Sequence, residues 1–262
     1  MATSTDPQPR TGAEPLTATP DQRARLRRLT RVAGVLYLAI FLLYPLSTSV
    51  RSLLVAPGDA ATTAANVAAS ESLFRWGLAG EAAVVLIEIA LAGVLYALLR
   101  PVSRTLSLAA ALARAGEGVV MAAGNLVTGI MTLVMVSGAG YLTALSLDQR
   151  DALGLAYQDA NGQVVLVWGL FFGLHLVLLG WLVWRSGFLP RLIGLLLLLA
   201  GVGYLAQSFG VLVAPGLAGP LDVVVLVLAV PGELAIALWL LVRGVDADAW
   251  ARRAAAAHVS QL

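Results

Sequence analysis

The sequence predicts an all-α integral membrane bundle of six transmembrane helices, with short interfacial helices in its two long outer loops. Three observations carry that reading. First, 59% of the 262 residues are apolar and only 12% are charged, with a mean hydropathy of +0.86; soluble domains run at about 25% charged. A chain this apolar needs a bilayer as its solvent. Second, six stretches reach the roughly 20 apolar residues that a span requires. Third, every one of the 17 basic residues is an arginine, and the arginines sort by the parity of the segments between spans.

Residues 1–31 form a polar tail, rich in proline before Arg23 and in arginine after it. Its first twenty residues lack any apolar period and are expected to be disordered. Leu26 and Leu29 among the arginines suggest a short amphipathic turn leading into the membrane. The spans, which make up a membrane domain over 32–243, then run Val32–Val50, Trp76–Leu99, Leu106–Val136, Val164–Trp184, Leu192–Val213 and Leu221–Val242. Residues 244–262 form a C-terminal tail.

The first long loop, Arg51–Arg75, holds Pro57-Gly58-Asp59. Asp59 before Ala60-Ala61-Thr62 is an N-cap signature. A short helix follows from it, with Val67, Leu73 and Phe74 facing lipid headgroups. The second loop, Gly138–Gln163, spaces Leu142, Leu145, Leu153 and Leu155 among Asp148, Arg150 and Asp151. It reads as an amphipathic helix lying on the surface and ended by Asn161-Gly162. The other connections are tight.

Counting segments alternately from the N-terminal tail puts thirteen arginines on one side, and only Arg51, Arg75 and Arg150 on the other. The positive-inside rule makes the richer side cytoplasmic, with both termini there. Abundant Ala, Arg and Gly without Lys suggests a bacterial chain, hence the inner membrane. The arginines are topology signals, so nucleic acid is not a partner; the lipid bilayer is. Cys is absent, which excludes thiol nucleophiles and iron–sulfur ligation. With two His, no metal site or cofactor is expected. No Walker sequence and no Gly-x-Ser-x-Gly appears, and no nucleophile–base pairing marks an enzyme.

Ionisable side chains at membrane depth cost a few kcal/mol on insertion scales and mark function by default. The candidates are Glu81, Glu88, Glu117, Asn125, His175 and Glu233. Glu81 and Glu88 are seven apart and roughly share a face. Arg114 and Glu117, three apart, are expected to pair with each other. Pro231-Gly232 should kink the sixth span, and Gly169-Leu-Phe-Phe-Gly173 allows close helix approach inside the bundle. Clustered carboxylates in a low-dielectric core hold protons or a cation. Two functions follow: binding or transport of a small solute, ion or lipid through a carboxylate-lined core, or a scaffold or regulatory subunit acting through loops and tails. Convergence of Glu88, Glu117 and Glu233 on one cavity would favour the first.

Several local sequences carry a family resemblance. They are Arg31-Val-Ala-Gly-Val-Leu-Tyr37, Pro57-Gly-Asp59 with Asn66, Glu71-Ser-Leu-Phe-Arg75 and Leu95-Tyr-Ala-Leu-Leu-Arg-Pro-Val102. Further along come Phe171-Phe-Gly-Leu-His175, Ser186-Gly-Phe-Leu-Pro-Arg191, Gly203-Tyr204, Ser208-Phe209, Gly232-Glu233 and Leu238-Trp-Leu-Leu241. Over roughly Arg31–Val245 the chain resembles the multi-pass bacterial membrane proteins of the family called domain of unknown function 4386. Glu81 and Gln207 depart from that pattern, which would place Asp at both. The resemblance implies architecture and membrane location, and no activity.

Overall fold

A computed structural model describes residues 17–259; the tail expected over residues 1–16 lies outside them. Six helices are long and apolar enough to cross a membrane, and no strand occurs among the described residues. The helices are α1 (Pro20–Leu54), α2 (Ala60–Ala69), α3 (Glu71–Leu99), α4 (Arg104–Met121), α5 (Val127–Val136), α6 (Leu147–Ser186), α7 (Arg191–Val213), α8 (Ala218–Val242) and α9 (Ala247–Val259). A π-helical turn, Ala122–Leu126, joins α4 to α5 within one span.

Part of the N-terminal tail is ordered. α1 starts at Pro20, not at Val32, behind a Thr19–Gln22 capping box. Proline at the first helical position costs no hydrogen bond. The arginine-rich lead-in is therefore the first three turns of the membrane helix. α9 folds back beside it. The Ala18 N–H donates to Asp248 at 2.8 Å, Arg23 pairs with Asp248 at 2.7 Å, and Trp250 Nε1–H donates 2.8 Å to the carbonyl of Leu98. That carbonyl belongs to the last turn of α3, which has no intrahelical partner for it. The start of α1 and α9 thus meet at the arginine-rich end of the bundle.

The first long loop contains the expected helix, α2, with Asp59 accepting from the Thr62 N–H at 2.9 Å. This bond holds the exposed Asp59 carboxyl below the ordinary aspartate range. The apolar residues here, Val67 on α2 and Leu73 and Phe74 at the start of α3, do not all face outward. Val67 and Phe74 are buried in a small cluster with Leu54 and Leu133, and only Leu73 is exposed. The second long loop departs further. There is no separate surface helix and no break at Asn161-Gly162: after a 3₁₀ turn at Gly140–Ala144, α6 runs unbroken for 40 residues. A Ser146–Gln149 capping box starts it early. Gln158 then donates 2.6 Å to Thr132, and Thr132 donates 3.2 Å to the Gly154 carbonyl, tying the extra turns to α5. That packing outweighs the roughly 1 kcal/mol cost of a mid-helix glycine.

α6 and α7 form the closest seam, through small residues. A Cβ on Gly194 would lie 2.7 Å from the Trp184 nitrogen, and one on Gly201 would lie 2.7 Å from the Gly173 carbonyl. Gly169 and Gly173 both face α7, so their spacing serves internal packing. The hairpin between them turns on Gly187 at φ 75°, with Ser186 Oγ accepting from the Phe188 and Leu189 N–H groups. The leucine-rich core, including Leu98, Leu179, Leu182 and Leu240, fills the arginine-rich half of the bundle. The polar groups gather beyond it.

Candidate functional site

Burial dictates what an ion in this bundle must do: find a partner or pay a heavy desolvation cost. Arg114 is 1% exposed, and α4 aims it into the bundle. The expected partner was Glu117, one turn along the same helix. The structure corrects this: Arg114 Nη2 lies 2.6 Å from Glu88 Oε2, across on α3. The distance is that of an ion pair, although its angle is poor for a hydrogen bond. The guanidinium points between helices, where the α3 carboxylate meets it.

The other terminal nitrogen is also occupied, while Nε–H has no hydrogen-bond partner. Nη1 meets His175 Nε2 at 3.1 Å, and His175 Nδ1 meets the Ala110 carbonyl at 2.8 Å. A carbonyl only accepts, so Nδ1 carries the proton and Nε2 accepts from Arg114. His175 is thereby fixed as a neutral bracket between α4 and α6. The Arg114 guanidinium carbon lies over the Tyr37 ring, 5.0 Å from its centre, and over the Phe172 ring, at 5.8 Å. Glu117 is fully buried, sits within hydrogen-bonding reach of Glu88, and neither of its oxygens accepts a bond from a protein donor.

Glu233 approaches from α8. Gly232 beside it packs on the α7 backbone at Leu196, where a Cβ would lie 3.1 Å from the carbonyl. The missing side chain lets α8 come close and sets Glu233 at mid-membrane. α8 continues as a helix through Pro231. The sole bond to Glu233 is from the Tyr204 hydroxyl at 3.5 Å, the outer limit for one. Glu88, Arg114 and Glu233 line a single cavity of about 170 Å³, together with Tyr37, Trp168, Phe172 and Tyr204. Trp168, Phe172 and Tyr204 form one aromatic group, with ring centres 4.7 to 5.6 Å apart. The exposed Pro45 lies on the rim.

Glu81 and Asn125 belong to a second group, nearer the arginine-poor end. Arg51 Nη2 reaches Glu81 at 2.7 Å and the Asn125 carbonyl at 3.1 Å. Asn161 donates to the Asn125 side chain at 2.7 Å. The π turn over Ala122–Leu126 explains why that carbonyl is available: wider winding takes it off the regular ladder. Glu81 and Glu88 therefore share a helix face but serve different arginines.

A family model matches residues 32–244, which is most of the chain, and its description is "Domain of unknown function (DUF4386)". The chain belongs to the DUF4386 family. A relative described as an uncharacterized protein of Archaeoglobus fulgidus is 29% identical over 169 residues, covering 64% of this chain and 84% of the relative. No solved structure matches.

In this DUF4386 protein the candidates thus divide. Glu88, Glu117, His175 and Glu233 gather around Arg114, while Glu81 and Asn125 gather around Arg51. Sequence reasoning had no place in the site for Tyr37, Trp168, Phe172 or Tyr204. Aromatic residues scattered over three spans look like ordinary lipid-facing or core positions. Arg51 was counted as a loop residue, because apolar sequence stops beside it while its helix runs on to Leu54.

Proposed function

We propose that this membrane protein binds a small solute in the cavity between α1, α3, α4, α6, α7 and α8, with its arginine-rich end in the cytoplasm. One observation carries the reading: Glu88 and Glu233, on different helices and each near the middle of its own, face the same cavity of about 170 Å³. An apolar cavity of about 150 Å³ accommodates benzene, so there is room for a solute of that order. Two buried donors on cavity-lining residues, the Tyr37 hydroxyl and Trp168 Nε1–H, have no partner in the protein. In a purely structural bundle such groups are expected to pair off. A mid-membrane site of this kind suits a carrier as well as a receptor.

The scaffold reading draws support from the outer group alone. There Arg51 bridges Glu81 and the Asn125 carbonyl, and Asn161 bonds the Asn125 side chain, contacts that tie helices together.

The test is quenching of tryptophan fluorescence by 2,2,2-trichloroethanol in purified protein. Binding in the cavity predicts a saturable component that vanishes in Trp168→Phe and in the cavity-filling variant Ile40→Phe. Linear quenching of equal slope in all three proteins contradicts it.

A further inference from the structure

The charge count and the aromatic walls together specify a ligand class, and the inference rests on the cavity being a binding site. Two buried carboxyl groups, Glu88 and Glu117, and the half-buried Glu233 stand around one guanidinium. Glu88 and Glu117 lie within hydrogen-bonding reach of each other. Arg114 lies 2.6 Å from Glu88 and pairs with that carboxylate. Glu233 has no ion pair among the described residues: its one hydrogen bond, at 3.5 Å, comes from Tyr204. Of the two carboxyl groups that line the cavity, Glu88 and Glu233, only Glu88 forms an ion pair.

The positive charge already present cannot serve an anionic ligand. Arg114 is held by Glu88 and His175 and lies over the Tyr37 and Phe172 rings, with only Nε–H unpaired. Beside Glu233 the wall is aromatic. Tyr204 stands edge-on to Trp168 and Phe172, and Trp168 Nε1–H is an unused donor. Aromatic faces with a nearby carboxylate hold organic ammonium groups, because the ring quadrupole attracts a cation that is weakly hydrated. Among the described residues, no three of His, Asp and Glu come close enough together to ligate one metal ion. The donor set therefore favours a diffuse cation over a compact metal.

We infer that the cavity binds a small organic cation, a protonated or quaternary amine carrying an oxygen acceptor, with Glu233 as its counter-ion and Trp168 and Tyr204 as its aromatic walls. The acceptor takes the free Trp168 or Tyr37 donor. The size limit is roughly that of a six- to eight-heavy-atom molecule, from the comparison with benzene.

Calorimetric titration with a matched pair of probes tests this. Choline and 3,3-dimethylbutan-1-ol have the same shape and the same hydroxyl, and differ in the charge. Wild-type protein in nanodiscs should bind choline about tenfold more tightly than the neutral isostere. Glu233→Gln should bring the two within about twofold of each other, and Glu233→Asp, which keeps the charge, should retain the preference. Equal or tighter binding of the alcohol overturns the cation assignment and leaves the cavity as a binding site. Saturable binding of neither probe overturns both.

Discussion

The tightest prediction concerns the one guanidinium buried among carboxylates. Replacing Arg114 with Leu removes the ion pair to Glu88 at 2.6 Å, the bond to His175 at 3.1 Å and the stacking on Tyr37 and Phe172. An ordinary polar contact between membrane helices is worth about 0.6 kcal/mol and at most about 1.7. The Arg114 variant should lose more, about 3–5 kcal/mol, because it strands buried negative charge with no partner. Most of that loss is the penalty of the stranded group and not the worth of the pair. Removing both ions, in Arg114→Leu with Glu88→Leu, should therefore recover stability to within about 1–2 kcal/mol of wild type. The assay is reversible unfolding in mixed micelles, read by far-ultraviolet circular dichroism, for both single variants and the double. If the double variant loses the sum of the two single losses, Arg114 and Glu88 are not coupled and the reasoning fails.

Other consequences can be checked separately. Gly194→Ala should destabilise by about 1–3 kcal/mol through overpacking, since its Cβ would lie 2.7 Å from the Trp184 backbone, whereas Gly93→Ala, with nothing within 4 Å, should be neutral or stabilising in the same unfolding assay. At the arginine-rich end, the Ala18 N–H, aided by Arg23, holds the Asp248 carboxyl below the ordinary aspartate range. A depressed carboxyl stabilises fully above its unfolded value of about 3.9 and loses that contribution as pH falls through the lower folded one. Hydrogen-exchange protection of Ala247–Val259, corrected for intrinsic rates, should fall below pH 4 and be low already at pH 7 in Asp248→Asn; unchanged protection in the variant would count against the contact. A reporter fused after Val245 should be cytoplasmic and one inserted at Asp151 should be outside, and both on one side would refute the six-span threading.

Composition and span length were enough to read the six membrane helices, because a bilayer imposes both on any chain that crosses it. Local signals worked where one residue decides the outcome, as Asp59 does at the start of α2. They failed where tertiary packing overrides them. Asn161-Gly162 reads as a stop, yet α6 runs through it because Gln158 and Gly154 are tied to α5. Val67 and Phe74 read as lipid-facing because burial against Leu54 and Leu133 depends on how α1 and α5 pack. The candidate site was legible as a set of polar residues at depth, but not as groups. Sequence spacing reports neighbours on one helix, and so it suggested Glu117 for Arg114. The real partner, Glu88, is 26 positions away on another helix. The aromatic walls were not legible as a wall, since only the bundle brings Tyr37, Trp168 and Tyr204 together.

The central claim is a solute-accessible cavity that prefers positive charge, and the absence of any native cysteine makes a direct measurement possible. A single cysteine at Val84, which lines the cavity, can be treated with the cationic 2-aminoethyl methanethiosulfonate or the anionic 2-sulfonatoethyl reagent. Modification should be faster with the cation and slowed by choline, with the advantage lost when Glu233→Gln is added. Modification by neither reagent, or equal rates with both, would contradict it.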